Sequence, residues 1–188
     1  MTRNNDPEQF PQIHPMLLLH SLIYILAVLI ANYTTTPEWF ISLPIFGLVP
    51  LGTFIFGITF TQRDRLHQFG RPAVYGTIAI AALANVIMSS ILHVDIRIIF
   101  ASFVAIILAE TADTEVYHRL LSRSWMVRVA GSNAVSIPLD TLLFNTIAFL
   151  GVLKPIEVVA VMVGDIIVKY AIGAVTALYR GRQSEYQS

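Results

Sequence analysis

The sequence predicts an all-α fold: a polytopic membrane protein built as a bundle of six transmembrane helices, with both termini cytoplasmic. Three observations carry that expectation. Of the 188 residues, 55% are hydrophobic and only 13% charged, and the mean hydropathy is +0.68. A soluble domain carries about 25% charged residues and at this size buries about 70% of its surface, so it could not hide so much apolar side chain. The apolar residues fall into six stretches, most of them close to the ~20 residues that a helix needs to cross the hydrocarbon. Finally, the basic residues alternate between connections, as they do when loops lie on opposite sides of a bilayer.

The uncharged run between Pro15 and Pro37 predicts the first helix at 16–33. The second is expected at 41–62, although Pro44, Gly47, Pro50, Gly52 and Gly57 interrupt it. Proline removes an amide donor and glycine permits close approach or a break. This stretch therefore reads either as a broken helix beside a cavity or as an ordinary kinked one. The third helix, 72–92, is uncharged and alanine-rich, and the fourth, 98–117, turns polar from Glu110 onward. The fifth, 129–150, contains Asp140; the sixth, 156–179, contains Asp165 and Lys169. Connections are short, so residues 1–188 are expected to form one integral membrane domain. The first apolar run lacks a strongly basic leader and is followed by further spans, so it does not read as a cleavable signal peptide.

Arg3, Arg63, Arg65, Arg71, Arg119, Arg123, Arg128, Arg180 and Arg182 fall on one side of such a bundle, and only Arg97 and Lys154 on the other. By the positive-inside rule the richer side is cytoplasmic. An even number of spans follows.

Ionisable residues inside spans cost at least ~2.5 kcal/mol at the helix centre, so those retained there need a reason. Asp165 and Lys169 are four apart and share a helix face. They can neutralise each other as a clamp, or a ligand can compete for one of them: lysine donates and an ionised aspartate only accepts. Asn133, Ser136, Asp140 and Phe144 also share one face, offering an amide, a hydroxyl, a carboxylate and a ring. That combination suits a small planar polar molecule; the alternative is interhelical hydrogen bonding. Glu110 and Asp113, three apart, can share an exchangeable proton and so couple transport to protons. They can also sit half solvated at a helix end near Arg119. Asn85 reads as a binding residue or as helix glue, and Arg63 with Asp64 as part of an inner gate or a plain anchor. His20 suits packing or hydrogen bonding, and His14, His67, His93 and His118 show no ligand pattern.

Other classes find no support. Cysteine is absent, which excludes thiolate metal sites and a Cys nucleophile. No metal, cofactor or phosphate-loop motif occurs, and no catalytic residue is assigned, so an enzyme is not expected. Basic residues are not interleaved with aromatics, so nucleic acid is not an expected partner.

Taken in order, several segments resemble the vitamin uptake transporter family, whose queuosine precursor transporters are its best-described members. They are Ile30-Ala31-Asn32-Tyr33, Phe69-Gly70-Arg71, Ala101-Ser102-Phe103-Val104-Ala105 with Asp113, Ser132-Asn133-x-x-Ser136-x-x-x-Asp140-Thr141-x-x-Phe144-x-x-x-Ala148-Phe149, and Asp165-x-x-x-Lys169. The resemblance covers about residues 16–180. It implies a multi-pass protein of the bacterial inner membrane that imports a 7-deazaguanine such as preQ0 or preQ1. Asn133, Asp140, Asp165 and Lys169 would then be cavity residues and Asp113 a polar residue of the fourth span. The sequence departs from the family where Gln62 follows Thr61 and the acid, Asp64, comes two positions later; Glu110 replaces a more usual uncharged residue. The resemblance leaves open another vitamin-like heterocycle as substrate. It also leaves open protons as a coupling ion and an ATPase module as a partner. A non-transporting assembly protein, its polar groups merely fixing helix register, is the rival from another class.

Overall fold

The computed structural model describes residues 14–44 and 47–185, with side chains to 178. The predicted contributions of Arg3, Arg180 and Arg182 to topology lie outside the described side chains. Six α-helices account for most of the chain: α1 Pro15–Tyr33, α2 Gly52–Leu66, α3 Arg71–Ile91, α4 Ile96–Arg119, α5 Trp125–Phe149 and α6 Pro155–Glu185. Five of these overlap the expected helices closely. Three, α1, α3 and α6 to Leu178, are long and apolar enough to cross a membrane. At 1.5 Å per residue α4 and α5 are also long enough, but they carry the polar residues that lower their hydropathy.

The second element differs from its prediction. Two strands, β1 Phe40–Leu43 and β2 Gly47–Pro50, pair antiparallel as a hairpin, and α2 begins only at Gly52. Pro44, Gly47 (φ +75°) and Pro50 explain the change. Prolines at 44 and 50 withhold two amides a helix needs, and the left-handed Gly47 turns the chain. The paired strands satisfy much of their backbone against each other, which apolar surroundings demand. β2 packs on α6, and Val49 is fully buried.

The main helix contacts trace a closed ring: α1 with α2, α2 with α6, α6 with α5, α5 with α4, α4 with α3, and α3 back to α1. The α1–α2 corner is tight because Gly52 lies directly against the Ala31 carbonyl and the Thr35 hydroxyl, leaving no room for a Cβ. The pattern of residues around the ring is inside-out. On α4 the small and polar residues Ala101, Ser102, Ala105, Ala109, Glu110, Asp113 and Thr114 are buried, with Ile99, Ile106 and Tyr117, while Ile96, Phe100 and Leu108 face outward. On α1 Leu18, Leu22, Leu26 and Ile30 form an exposed stripe at four-residue intervals. Water would not tolerate so continuous an apolar belt; lipid does.

Pro138 lies inside α5. Its missing amide frees the carbonyl four residues earlier, and the Tyr170 hydroxyl of α6 donates to that Ala134 oxygen at 3.3 Å. The helix therefore continues past the proline with its orphaned acceptor partnered.

Candidate functional site

Two layers of buried charge lie inside the ring. The first is built on the α5–α6 contact, where the i, i+4 spacing of Asp165 and Lys169 puts both on the face toward α5. Lys169 Nζ donates to Asp165 Oδ2 at 2.5 Å, to Asp140 Oδ2 at 2.7 Å and to Thr141 Oγ1 at 3.3 Å. An ammonium has three hydrogens, and all three are engaged. Asp165 also accepts from Thr53 of α2 at 2.5 Å and from Thr141 at 2.7 Å. The ammonium further lies 4.4 Å from the centre of the Phe56 ring, where the ring face attracts a cation. Asp140 is different: Lys169 is its one hydrogen-bond partner among the described residues, and its side chain stays 19% exposed.

These residues line a cavity closed by five helices. Tyr24, Val28 and Asn32 of α1, Thr53 and Phe56 of α2, Ser102, Ala105, Ile106 and Glu110 of α4, Asp140, Phe144 and Asn145 of α5, and Asp165 and Lys169 of α6 form its wall, with Pro50 of the hairpin. Its non-atom space is about 560 Å³ including the mouth, but only about 30 Å³ would accept the centre of a water molecule. In this closed form the walls must move apart to admit a heterocycle.

At the hairpin end, Phe144 meets Phe149 edge-on at 5.7 Å, and Phe149 meets Phe40 of β1 likewise at 5.5 Å. Phe149 also borders an outer groove containing Trp39, His93, Asp95 and Arg97. Phe144 lines the cavity and Phe149 the groove, so this ring pair lies between the two.

The second layer closes the opposite end. Arg63 of α2, 1% exposed, donates through Nη1 to both carboxylate oxygens of Glu110 at 3.1 Å. Its Nη2 donates to Asn133 Oδ1 at 2.8 Å and lies 2.9 Å from Asp113 Oδ1. Ser136 donates to the same Asp113 oxygen at 2.9 Å. The other oxygen, Oδ2, is buried without a hydrogen bond, as are Arg63 Nε and both ring nitrogens of His67. His67 Nε2 is 3.5 Å from that oxygen, and its ring stacks on Tyr117 at 3.9 Å. Burial depresses the His67 pKa below its ordinary 6.5; the Asp113 carboxylate opposes that shift. A small pocket bordered by Phe56, Phe60, Arg63, Glu110, Asp140 and Lys169 joins the two layers.

Of the expected binding residues, Asp140, Phe144, Asp165 and Lys169 come together on the cavity wall. Asn133 does not: its oxygen is held in the Arg63 layer, because α5 carries it toward the other end of the ring. Glu110, for which a half-solvated helix end was one reading, is buried against Arg63 and reaches the cavity rim. Asp113 is wholly buried in the second layer. Asn85 lies apart from the cavity wall, fully buried on α3, with neither amide atom hydrogen bonded. Arg63 is an interior group rather than a surface anchor, and Asp64 is buried beside it. Sequence reasoning missed Thr53, Tyr24, Asn32, Ser102 and Asn145. Thr53 and Asn145 flank ionisable or motif residues by one turn or across helices, a signal too weak to isolate them.

A family model described as "Putative vitamin uptake transporter" matches residues 88–179, about half of the chain. The matched part runs from the end of α3 through most of α6 and includes Glu110, Asp113, Asn133, Asp140, Asp165 and Lys169; it supports placing the chain in that transporter family. No curated protein and no solved structure matches the chain.

Proposed function

We propose that the protein is a multi-pass importer of the bacterial inner membrane that carries a small planar heterocycle, a 7-deazaguanine such as preQ0 or preQ1, without catalysing a reaction. The observation that carries this reading is the Asp140–Lys169–Asp165 cluster on the wall of a cavity within an inside-out helix ring. Charged groups in such a place are expensive, and Asp140 keeps a partly exposed carboxylate toward the cavity. The family match supports transport of a vitamin-like molecule.

In this reading Asp140 accepts from a donor group of the ligand and Phe144 offers a ring for stacking. Lys169 and Asp165 hold Asp140 in place, since their own hydrogen-bonding capacity is already taken up within the cluster. A buried acceptor left unpaired costs ~1–3 kcal/mol, so a hydrocarbon of similar shape, which offers Asp140 no donor, is discriminated against. The Phe144–Phe149 pair closes the cavity at the hairpin end and the Arg63 layer closes it at the cytoplasmic end. Alternating access opens one and then the other.

Uptake of labelled preQ0 and preQ1 by cells that lack precursor synthesis tests the proposal. Accumulation above the level of cells without the protein is expected, with loss on Asp140→Asn. Equal accumulation with and without the protein overturns the substrate assignment.

A further inference from the structure

The hydrogen-bond inventory of the cavity goes beyond that reading and rests on it only for the location of the site. The cavity layer holds one cation and two carboxylates, Lys169 with Asp140 and Asp165; in the other layer Arg63 pairs with Glu110 and Asp113, and Asp64 is buried beside it. Burial favours neutral His67, so it does not restore the balance. In the cavity layer the surplus negative charge resides at Asp140. Asp165 is surrounded by two hydroxyls and the ammonium, whereas Asp140 has one partner and partial exposure.

The neutral groups point the same way. Asn145 is 1% exposed and lines the cavity. Its Nδ2 donates to the Thr141 carbonyl at 2.8 Å, and a carbonyl can only accept, so the orientation of the amide is fixed. Its Oδ1 is left buried with no hydrogen-bond partner. Asn32 is fixed likewise by donating to the Val28 carbonyl at 2.9 Å. The strongest donors on the wall are already engaged: Lys169 with its three acceptors, Thr53 with Asp165, and Thr35 with the Ala31 carbonyl. What remains is one second hydrogen on each amide, together with Tyr24 and Ser102 hydroxyls that can accept as well as donate.

We infer that the cavity selects a cationic, donor-rich ligand: a planar heterocycle that bears a protonated amine, in preference to the neutral analogue of the same shape. The ammonium pairs with Asp140 and supplies the missing positive charge. A ring N–H pairs with Asn145 Oδ1. This reverses the role that lysine at such a site suggests, because Lys169 orients the acceptor instead of contacting the ligand.

Matched pairs test it on the purified full chain in detergent at neutral pH. The first pair is preQ1 against preQ0, an aminomethyl against a nitrile group on one ring. The second is 5-aminomethyluracil against 5-methyluracil. Binding is read by calorimetry in two buffers of different ionisation enthalpy. The amine of at least one pair is expected to bind about tenfold or more tighter than its neutral partner, a modest gain for a desolvated charge pair. Asp140→Asn is expected to reduce that preference below about threefold, and Asp140→Glu to retain part of it. Should Asp140→Asn fail to fold, the wild-type ratios alone decide. Equal affinity within both pairs, binding of a neutral base with uptake of a proton, or no binding by either amine overturns the inference. Equal, measurable binding of preQ0 and preQ1 with no preference in the uracil pair removes the charge preference and leaves the deazaguanine reading intact. A preference in the uracil pair alone, with neither deazaguanine bound, does the reverse.

Discussion

The two charge layers each bridge one cation to two carboxylates, yet they are of opposite character. Around Asp165 and Lys169 every acceptor and donor is matched, and one acid, Asp140, keeps a face to open space. Around Arg63, by contrast, Arg63 Nε has no hydrogen bond, Asp113 Oδ2 meets His67 Nε2 only at 3.5 Å, and Glu110 alone reaches the cavity rim. A fully satisfied buried network rigidifies its surroundings, while each unpaired buried polar atom carries a free-energy cost that rearrangement can relieve. The contrast teaches that charge count alone does not assign a role. The saturated layer is suited to hold a recognising carboxylate still, and the strained layer to part.

The largest predicted effect tests the strained layer. Arg63→Ala strips Glu110 and Asp113 of their cation and should destabilise the fold by ~3–5 kcal/mol, read as loss of the monodisperse peak in detergent chromatography. A normal profile would mean that the layer is wetter than its burial indicates. Next, Lys169→Met should abolish uptake and lower the melting temperature, because two carboxylates then share a site; intact uptake would break the claim that Lys169 holds Asp140. Phe144→Leu keeps the apolar wall but removes the stacking ring. It should weaken ligand binding by ~0.5–1.5 kcal/mol with little effect on thermal stability, and an unchanged affinity would exclude stacking. Tyr170→Phe removes the donor to Ala134 and should cost ~1 kcal/mol of stability, with uptake retained.

The smallest effect concerns pH. The depressed pKa of His67 means that the folded state resists protonation while the unfolded chain still titrates at its ordinary value near 6.5. Stability is therefore undiminished above 6.5 and falls as pH drops from 6.5 toward the depressed value. His67→Gln should flatten the melting temperature over that window; an unchanged slope would assign it to another group.

Much of this was legible in the sequence, and the reasons for the gaps are physical. Long apolar runs place α1, α3 and α6, and the i, i+4 and i, i+7 spacings place Asp165 with Lys169 and Asp140 with its face of α5. The hairpin was not legible as such, because Phe40–Pro50 is as apolar as a spanning helix and composition cannot tell paired strands from a kinked helix. Arg63 with Glu110 is a contact across 47 positions, beyond any local periodicity. Asn133 shared a helix face with Asp140 as expected, but two turns carried it into the other layer. Asn145 escaped notice because nothing about an asparagine in a helix reveals which of its atoms will be left without a partner.

The hairpin also constrains how the chain is assembled. Thr53, three residues after it, bonds Asp165 across 112 positions, and β2 packs on α6. During synthesis the hairpin emerges long before α6 exists to receive it. Until the last helix is made, its open edges must wait in the interface or against a chaperone rather than in lipid. Ring closure is thus a late event in biogenesis, and a chain truncated before α6 should expose Phe40–Pro50 to protease even when its earlier helices have inserted.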